Sequence, residues 1–182
     1  MRRRDERPPI PDHVRIFHTT YKYLKNVSRF DRLVQLADPS PDSVCLDVGC
    51  GSGVYSTLKM AEYVKEVVGI DIDPHSVRDA RKEMARWRQS AAHKAGAIRR
   101  KASLRVMNAE AMDFEDAAFD IVVSRGGLRQ CENWDKAFAE CLRVLKPGGK
   151  MLLIEVGMQR PRTSLERNAA RRTPFILDRP LS

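Results

Sequence analysis

Three polar groups follow short apolar runs in an order that chemistry can use. Asp47 follows Val44-Cys45-Leu46, Asp71 follows Val67-Val68-Gly69-Ile70, and Asn108-Ala109-Glu110 follows Ser103 to Met107. Glycines stand at alternate positions after Asp47, at Gly49, Gly51 and Gly53, and helical spacing begins at once with Tyr55, Leu58, Lys59 and Glu62. Such glycines let the backbone turn sharply and let a ligand approach with no Cβ in the way. A carboxylate accepts paired hydrogen bonds from neighbouring hydroxyls, so Asp71 suits a ribose. Asp47, beside the turn, suits an ammonium, and Asn108 with its neighbouring backbone suits an adenine edge. Together these preferences describe a nucleoside with a cationic amino-acid tail. A dinucleotide pyrophosphate would call for Gly-x-Gly-x-x-Gly, and here the third glycine comes one residue early, which argues against a nicotinamide dehydrogenase.

Alternating strands and helices must position these groups. Strands are expected at Ser43–Val48, Val67–Asp71, Ser103–Met107, Phe119–Ser124 and Lys150–Val156, the last nearly all apolar, as for a strand covered on both faces. Helices are expected from Asp12 to about Ala37, from the glycine turn to about Val64, from Pro74 to about Lys94 with Asp73 as N-cap, and from Asp135 to Leu145, closed by Lys146-Pro147-Gly148-Gly149. Gly96 suits a C-cap region. The Met84 and Trp87 stripe on the third helix reads as core contact, not a ligand box. The alternation predicts an α/β fold: a Rossmann-like, doubly wound, mainly parallel sheet with helices on both faces.

The chain has 182 residues, enough for one domain. Its organisation reads as a disordered basic arm (1–11), a folded domain (12–157) and a basic tail (158–182). No stretch of 18 apolar residues is present, and the basic start is not followed by the apolar core of a secretory signal. Cys45, Cys50, Cys131 and Cys141 form no CxxC pair and read as reduced thiols of a cytoplasmic protein. The four histidines show no metal-ligand spacing, so no metal site is expected. The net charge of +9 is uneven: residues 78–105 hold ten basic and two acidic side chains, while 41–77 hold two and six. The basic segments offer contact with an anionic membrane surface, RNA or an acidic partner; a solvated helix face is the plainer alternative.

LDVGCGSG, VVGIDID and RVLKPGGKMLLIEV resemble the motifs of class I S-adenosylmethionine-dependent methyltransferases, over residues 43–157. Within that class the chain is similar to the ubiquinone/menaquinone-biosynthesis C-methyltransferases. Asn108, Ala109, Glu110 and Ala111 match that family's adenosine-contacting stretch. Gly127, Leu128 and Arg129 match its Gly-Leu-Arg-Asn, with Gln130 in place of Asn, and Arg143 to Gly149 match a third stretch, with Glu155 beyond it. Tyr21, Leu24, Asn26 and Ser28 loosely resemble its N-terminal signature, whose His and Trp are missing, and Gly157 stands where Ser is usual. The resemblance implies S-adenosylmethionine as cofactor, held by Asp47, Gly49, Cys50, Gly51, Gly53, Asp71, Ile72, Asn108, Ala109, Glu110 and Ser124.

It also implies methyl transfer to a ring carbon of a prenylated hydroquinone. Arg129 is the candidate cation beside the developing phenolate, and Tyr21 the candidate that orients the substrate. Two rivals stand beside this reading. One keeps the cofactor and methylates RNA or another small molecule, although nothing resembles an RNA-recognition module. The other is a non-catalytic cofactor-binding protein. The family continues with a lid and a reversed hairpin, whereas about 25 residues follow the fifth strand here. The last two strands are therefore expected to be missing and the flank of the fifth strand open. Self-association or dependence on a partner, with weak turnover by the isolated chain, is the corresponding expectation.

Overall fold

The structure is a computed structural model and describes residues 15–20, 28–89 and 101–155. In chain order the elements are β1 (Arg15–Thr20), α1 (Ser28–Ala37), β2 (Val44–Val48), α2 (Tyr55–Met60), β3 (Glu66–Asp71), α3 (Pro74–Arg88), β4 (Lys101–Val106), β5 (Phe119–Arg125), a 3₁₀ turn (Leu128–Gln130), α4 (Trp134–Val144) and β6 (Leu145–Glu155). The strands form one six-stranded sheet in the order β1-β6-β5-β2-β3-β4, and every pairing is parallel. From β2 the chain winds outward through β3 to β4, then returns to β5 on the other side of β2. That reversal makes a switch point between β2 and β5, where open α/β sheets leave a crevice at the carboxyl ends of the strands.

The apolar runs of the central strands alternate between two cores. Cys45, Val67, Ile121, Val123, Leu152 and Ile154 face α1, α2 and α3, packing on Phe30, Val34, Met60 and Val77. Leu46, Val48, Val68, Ile70, Val122, Met151 and Leu153 face α4, meeting Phe138, Cys141 and Val144. Two covered faces explain why these strands are apolar throughout. Asp73 caps α3, accepting hydrogen bonds from His75 N and Ser76 N at 3.0 Å each, with Pro74 at N1. Asn133 caps α4 by accepting from Lys136 N at 3.1 Å.

Several expectations change. The stretch expected as one helix from Asp12 to Ala37 contains β1, and the described helix starts only at Ser28. Six residues rich in β-branched and aromatic types suit a strand as well as a helix, and pairing with β6 decides between them. The flank of the last expected strand is therefore not open: β1 lies along it in register, from Arg15 against Lys150 to Thr20 against Glu155. Lys146-Pro147-Gly148-Gly149 does not end α4 ahead of a separate strand. β6 already begins at Leu145, and the pairing with β5 shifts register between Phe119 and Ile121. Helix α2 ends at Met60, short of Val64. The expected arm and tail, the end of α3 near Lys94, Gly96 and any strand beyond β6 lie outside the described residues.

Candidate cofactor and active site

A cavity of about 690 Å³ opens at the switch point. Its walls come from the β2 turn (Val48, Gly49, Gly51, Ser52), the β3–α3 turn (Ile70 to Asp73, Ser76), the loop after β4 (Met107 to Glu110) and the turn after β5 (Gly127, Gln130, Cys131, Glu132). Each wall is the loop that leaves the carboxyl end of a parallel strand, so strand register alone brings them together.

Asp71 joins two of these walls. Its Oδ2 accepts a hydrogen bond from Gly51 N and its Oδ1 one from Asp73 N, both at 3.0 Å. Each carboxylate oxygen keeps a second lone pair, so the residue can still accept a pair of hydroxyls. Ile72, 66% exposed, stands beside it as an apolar wall. In the loop after β4, Asn108 Oδ1 accepts from Glu110 N at 2.9 Å, and Glu110 Oε1 accepts from Asn133 N at 2.9 Å. The side-chain carbonyl of Asn108 thus shapes its own loop, while Glu110 ties that loop to the start of α4.

Asp47 is wholly buried beneath the glycine turn and does not line the cavity. Its Oδ2 accepts from Ser56 Oγ at 2.8 Å and Thr57 Oγ1 at 2.6 Å, fixing the first turn of α2, while Oδ1 has no partner among the described residues. Burial raises its carboxyl from 3.8 to about 6, against the lowering effect of the two hydroxyls and of Arg125. The same burial, with Asp47 and Asp71 nearby, pushes the Cys50 thiol far up, so it stays protonated and is no nucleophile.

The glycine turn and the turn after β5 touch backbone to backbone. Gly49 has φ +73°, and a Cβ there would lie 2.4 Å from Gly127 Cα. A Cβ on Gly127 would lie 2.4 Å from Val48 O. Glycine at both positions is what allows this contact. The second turn is anchored by fully buried Leu128, whose N–H donates to Ser124 Oγ at 3.2 Å. A second brace holds the loop after β4: Arg143 forks onto both oxygens of Glu140 at 2.7 and 2.8 Å and donates to Met112 O, Phe114 O and Asp116 Oδ1 at 2.7 to 2.9 Å. The Arg of the RVLKPGG stretch therefore acts as a loop clamp.

The structure brings Gly49, Gly51, Asp71, Ile72, Asn108, Ala109 and Glu110 to the cavity wall. Asp47, Cys50 and Ser124 lie buried behind it. Gly53 is exposed, and a Cβ there would meet nothing within 4 Å. Arg129 sits in the 3₁₀ turn between buried Leu128 and cavity-lining Gln130, but is not itself part of the wall. Tyr21 lies outside the described residues. Wall residues missed from sequence include Ser52, Asp73, Ser76, Cys131 and Glu132. Asp73 was legible only as a helix cap, and Cys131 and Glu132 carry no signal until the two turns are seen to meet. Among the described residues no group of His, Cys, Asp and Glu could hold a metal, and no helix is long and apolar enough to cross a membrane.

A doubly wound parallel sheet with a glycine turn, a carboxylate at the end of the next strand and a cavity at the switch point defines a class I S-adenosylmethionine-dependent methyltransferase domain. Family comparison agrees: residues 46–153 match the methyltransferase domain family, and the chain belongs to it. It is 32% identical over 124 residues to a ubiquinone/menaquinone biosynthesis C-methyltransferase of Hydrogenovibrio crunogenus, covering 67% of this chain and 45% of that protein. It is also 32% identical over 118 residues to a malonyl-[acyl-carrier protein] O-methyltransferase of Methylococcus capsulatus, covering 64% and 38%. Among solved structures, an S-adenosylmethionine-dependent methyltransferase of Methanosarcina mazei matches with a TM-score of 0.55 and 31% identity, covering 74% of this chain and 61% of that one. The chain spans less than half the length of these two curated relatives. The walls fit S-adenosylmethionine: Asp71, a carboxylate with unused lone pairs, suits the ribose, and Ile72, an apolar wall, suits a base.

Proposed function

We propose that this domain transfers a methyl group from S-adenosylmethionine to a ring carbon of a prenylated hydroquinone. When bound, that cofactor supplies a methyl made electrophilic by its sulfonium. The chain's own work is placement. Asp71 holds the ribose, the loop at Asn108 to Glu110 frames the base, and the glycine turn lets the tail lie against bare backbone. A hydroquinone ring carbon becomes nucleophilic as the neighbouring hydroxyl gives up its proton. Arg129, always protonated, stabilises the developing phenolate. In-line transfer would exchange a sulfur–methyl bond for a carbon–methyl bond; the ring proton would leave to water, and the phenolate oxygen would take a proton back. Tyr21 has the part of orienting the ring.

The observation that carries this reading is the backbone contact between Gly49 and Gly127. It fixes the Gly-Leu-Arg turn, the stretch matched to quinone C-methyltransferases, against the cofactor turn. The test is C-methylation of a demethylmenaquinol analogue. Cofactor binding without turnover on any quinol would overturn the acceptor. Equal identity to the O-methyltransferase supports a second reading, an oxygen acceptor, which a product methylated on oxygen would establish.

A further inference from the structure

The basic charge of α3 is not used by the readings above. The helix carries five basic side chains against two acidic ones. Arg88 donates to Ala102 O at 2.9 Å and Arg81 to Leu104 O at 3.4 Å, so α3 lies along β4, the outermost described strand on that side of the sheet. At 3.6 residues per turn, Arg78 and Lys82 extend the same side of the helix outward, while Asp79 and Glu83 fall on the other. Arg78, Lys82 and Arg86 pair with those two acids at the surface, where such pairs are weak, and remain 62–74% exposed. Lys101 and Arg105 add two exposed positive charges from β4 itself, the first of them paired with Glu66. Ile72 and Val106 are the exposed large apolar side chains among the described residues. They are neighbours at the carboxyl ends of β3 and β4, because Val106 is the register partner of Asp71. Ile72 also lines the cavity, so the pair stands at its mouth.

A bilayer surface takes up this combination. Anionic headgroups attract basic side chains, and aliphatic ones beside them reach the acyl boundary. We propose that the α3–β4 edge is the face by which the domain docks on an anionic membrane, with the mouth of the cavity turned to the bilayer. Nucleic acid would use the same charges, but its bases stack on aromatic rings, and the large apolar residues exposed here are aliphatic. Asp71 and Asp73, the carboxylates beside Ile72, accept from backbone N–H groups of Gly51, Asp73, His75 and Ser76, whose partial charges offset part of theirs. The choice of a bilayer rests on the prenylated acceptor proposed above, since a prenyl chain holds its quinol in lipid. The docking face itself rests on charge and exposure.

Vesicles free of any quinol read docking apart from turnover. In sedimentation at low salt, the full chain is expected to bind phosphatidylcholine vesicles that contain about one-third phosphatidylglycerol, and to bind plain phosphatidylcholine far more weakly. Replacing Arg78, Lys82 and Lys101 together by Gln should weaken that binding by about fivefold for each charge removed. Val106→Thr should weaken it by about threefold. Lys136→Gln, an exposed charge on α4 across the sheet, should leave it unchanged. Thermal midpoints report whether each variant is folded, and Lys82→Gln alone carries the test if the triple variant is not. Equal losses from Lys82→Gln and Lys136→Gln would mean that net charge alone binds, and overturn the docking face. So would no vesicle binding, equal binding to both vesicles, unchanged binding by the folded variants, or tighter binding to polyuridylate than to the anionic vesicles. Docking with these losses by a chain that methylates no quinol upholds the face and overturns the acceptor instead.

Discussion

Asp47 carries a cost that depends on pH. Its carboxyl is raised from 3.8 to about 6 by burial, so the folded chain holds this proton more tightly than the unfolded chain. Ionising it therefore opposes folding, by about 3 kcal/mol above pH 6. The penalty shrinks as pH falls through that value and vanishes below the ordinary carboxylate range. Asp47→Asn should remove it, so the variant's stability relative to the parent should be greatest near pH 8 and smallest near pH 4, as urea melts at the two pH values would show. A difference that ignores pH would mean the carboxyl has the same pKa in the folded and unfolded chain. Asp71 acts differently, as a strut between two loops and, in the proposed reading, as the acceptor for the ribose. Asp71→Ala should lower S-adenosylmethionine affinity at least about tenfold, the worth of a paired carboxylate contact of about 1.5–3 kcal/mol. Calorimetry decides, and near-unchanged affinity would place the ribose elsewhere.

Contacts between loops add to those within them in setting the geometry of the cavity. Gly127 has ordinary helical dihedrals, φ −71° and ψ −46°, so alanine there is opposed only by contact. Gly127→Ala should cost about 1–3 kcal/mol by overpacking and weaken cofactor binding, because its Cβ must displace Val48 O and Gly49. Arg143→Lys keeps the charge but cannot fork; a loss of about 1–3 kcal/mol in chemical denaturation is expected, with the loop after β4 loosened. Sequence reading located β2 to β5 to within about two residues, because their apolar runs and the turns after them are local signals. It found the glycine turn, Asp71 and the Asn108 loop for the same reason. It missed β1, whose state is decided by β6, 135 residues away in register. It also missed that Arg125 lies over the Tyr55 ring, because nothing in a sequence says that a strand end and a helix start 70 residues apart share one face.

At the scale of the molecule, β1 is what shields the apolar β6 from a second chain. Removing residues 1–20 should expose the β6 edge and drive self-association, visible by light scattering beside the full chain; a monodisperse truncated monomer would show that the edge is harmless. The same pairing orders events in time. A ribosome delivers β1 well before its partner β6, so β1 must wait for that partner until β2 to β5 have emerged. The core built from β2, β3, β4 and β5 can close earlier around the cavity, and β1 then zips onto a finished edge. Among the described strands β1 is joined on one side only, and hydrogen exchange should find its amides opening before those of central β2 and β5.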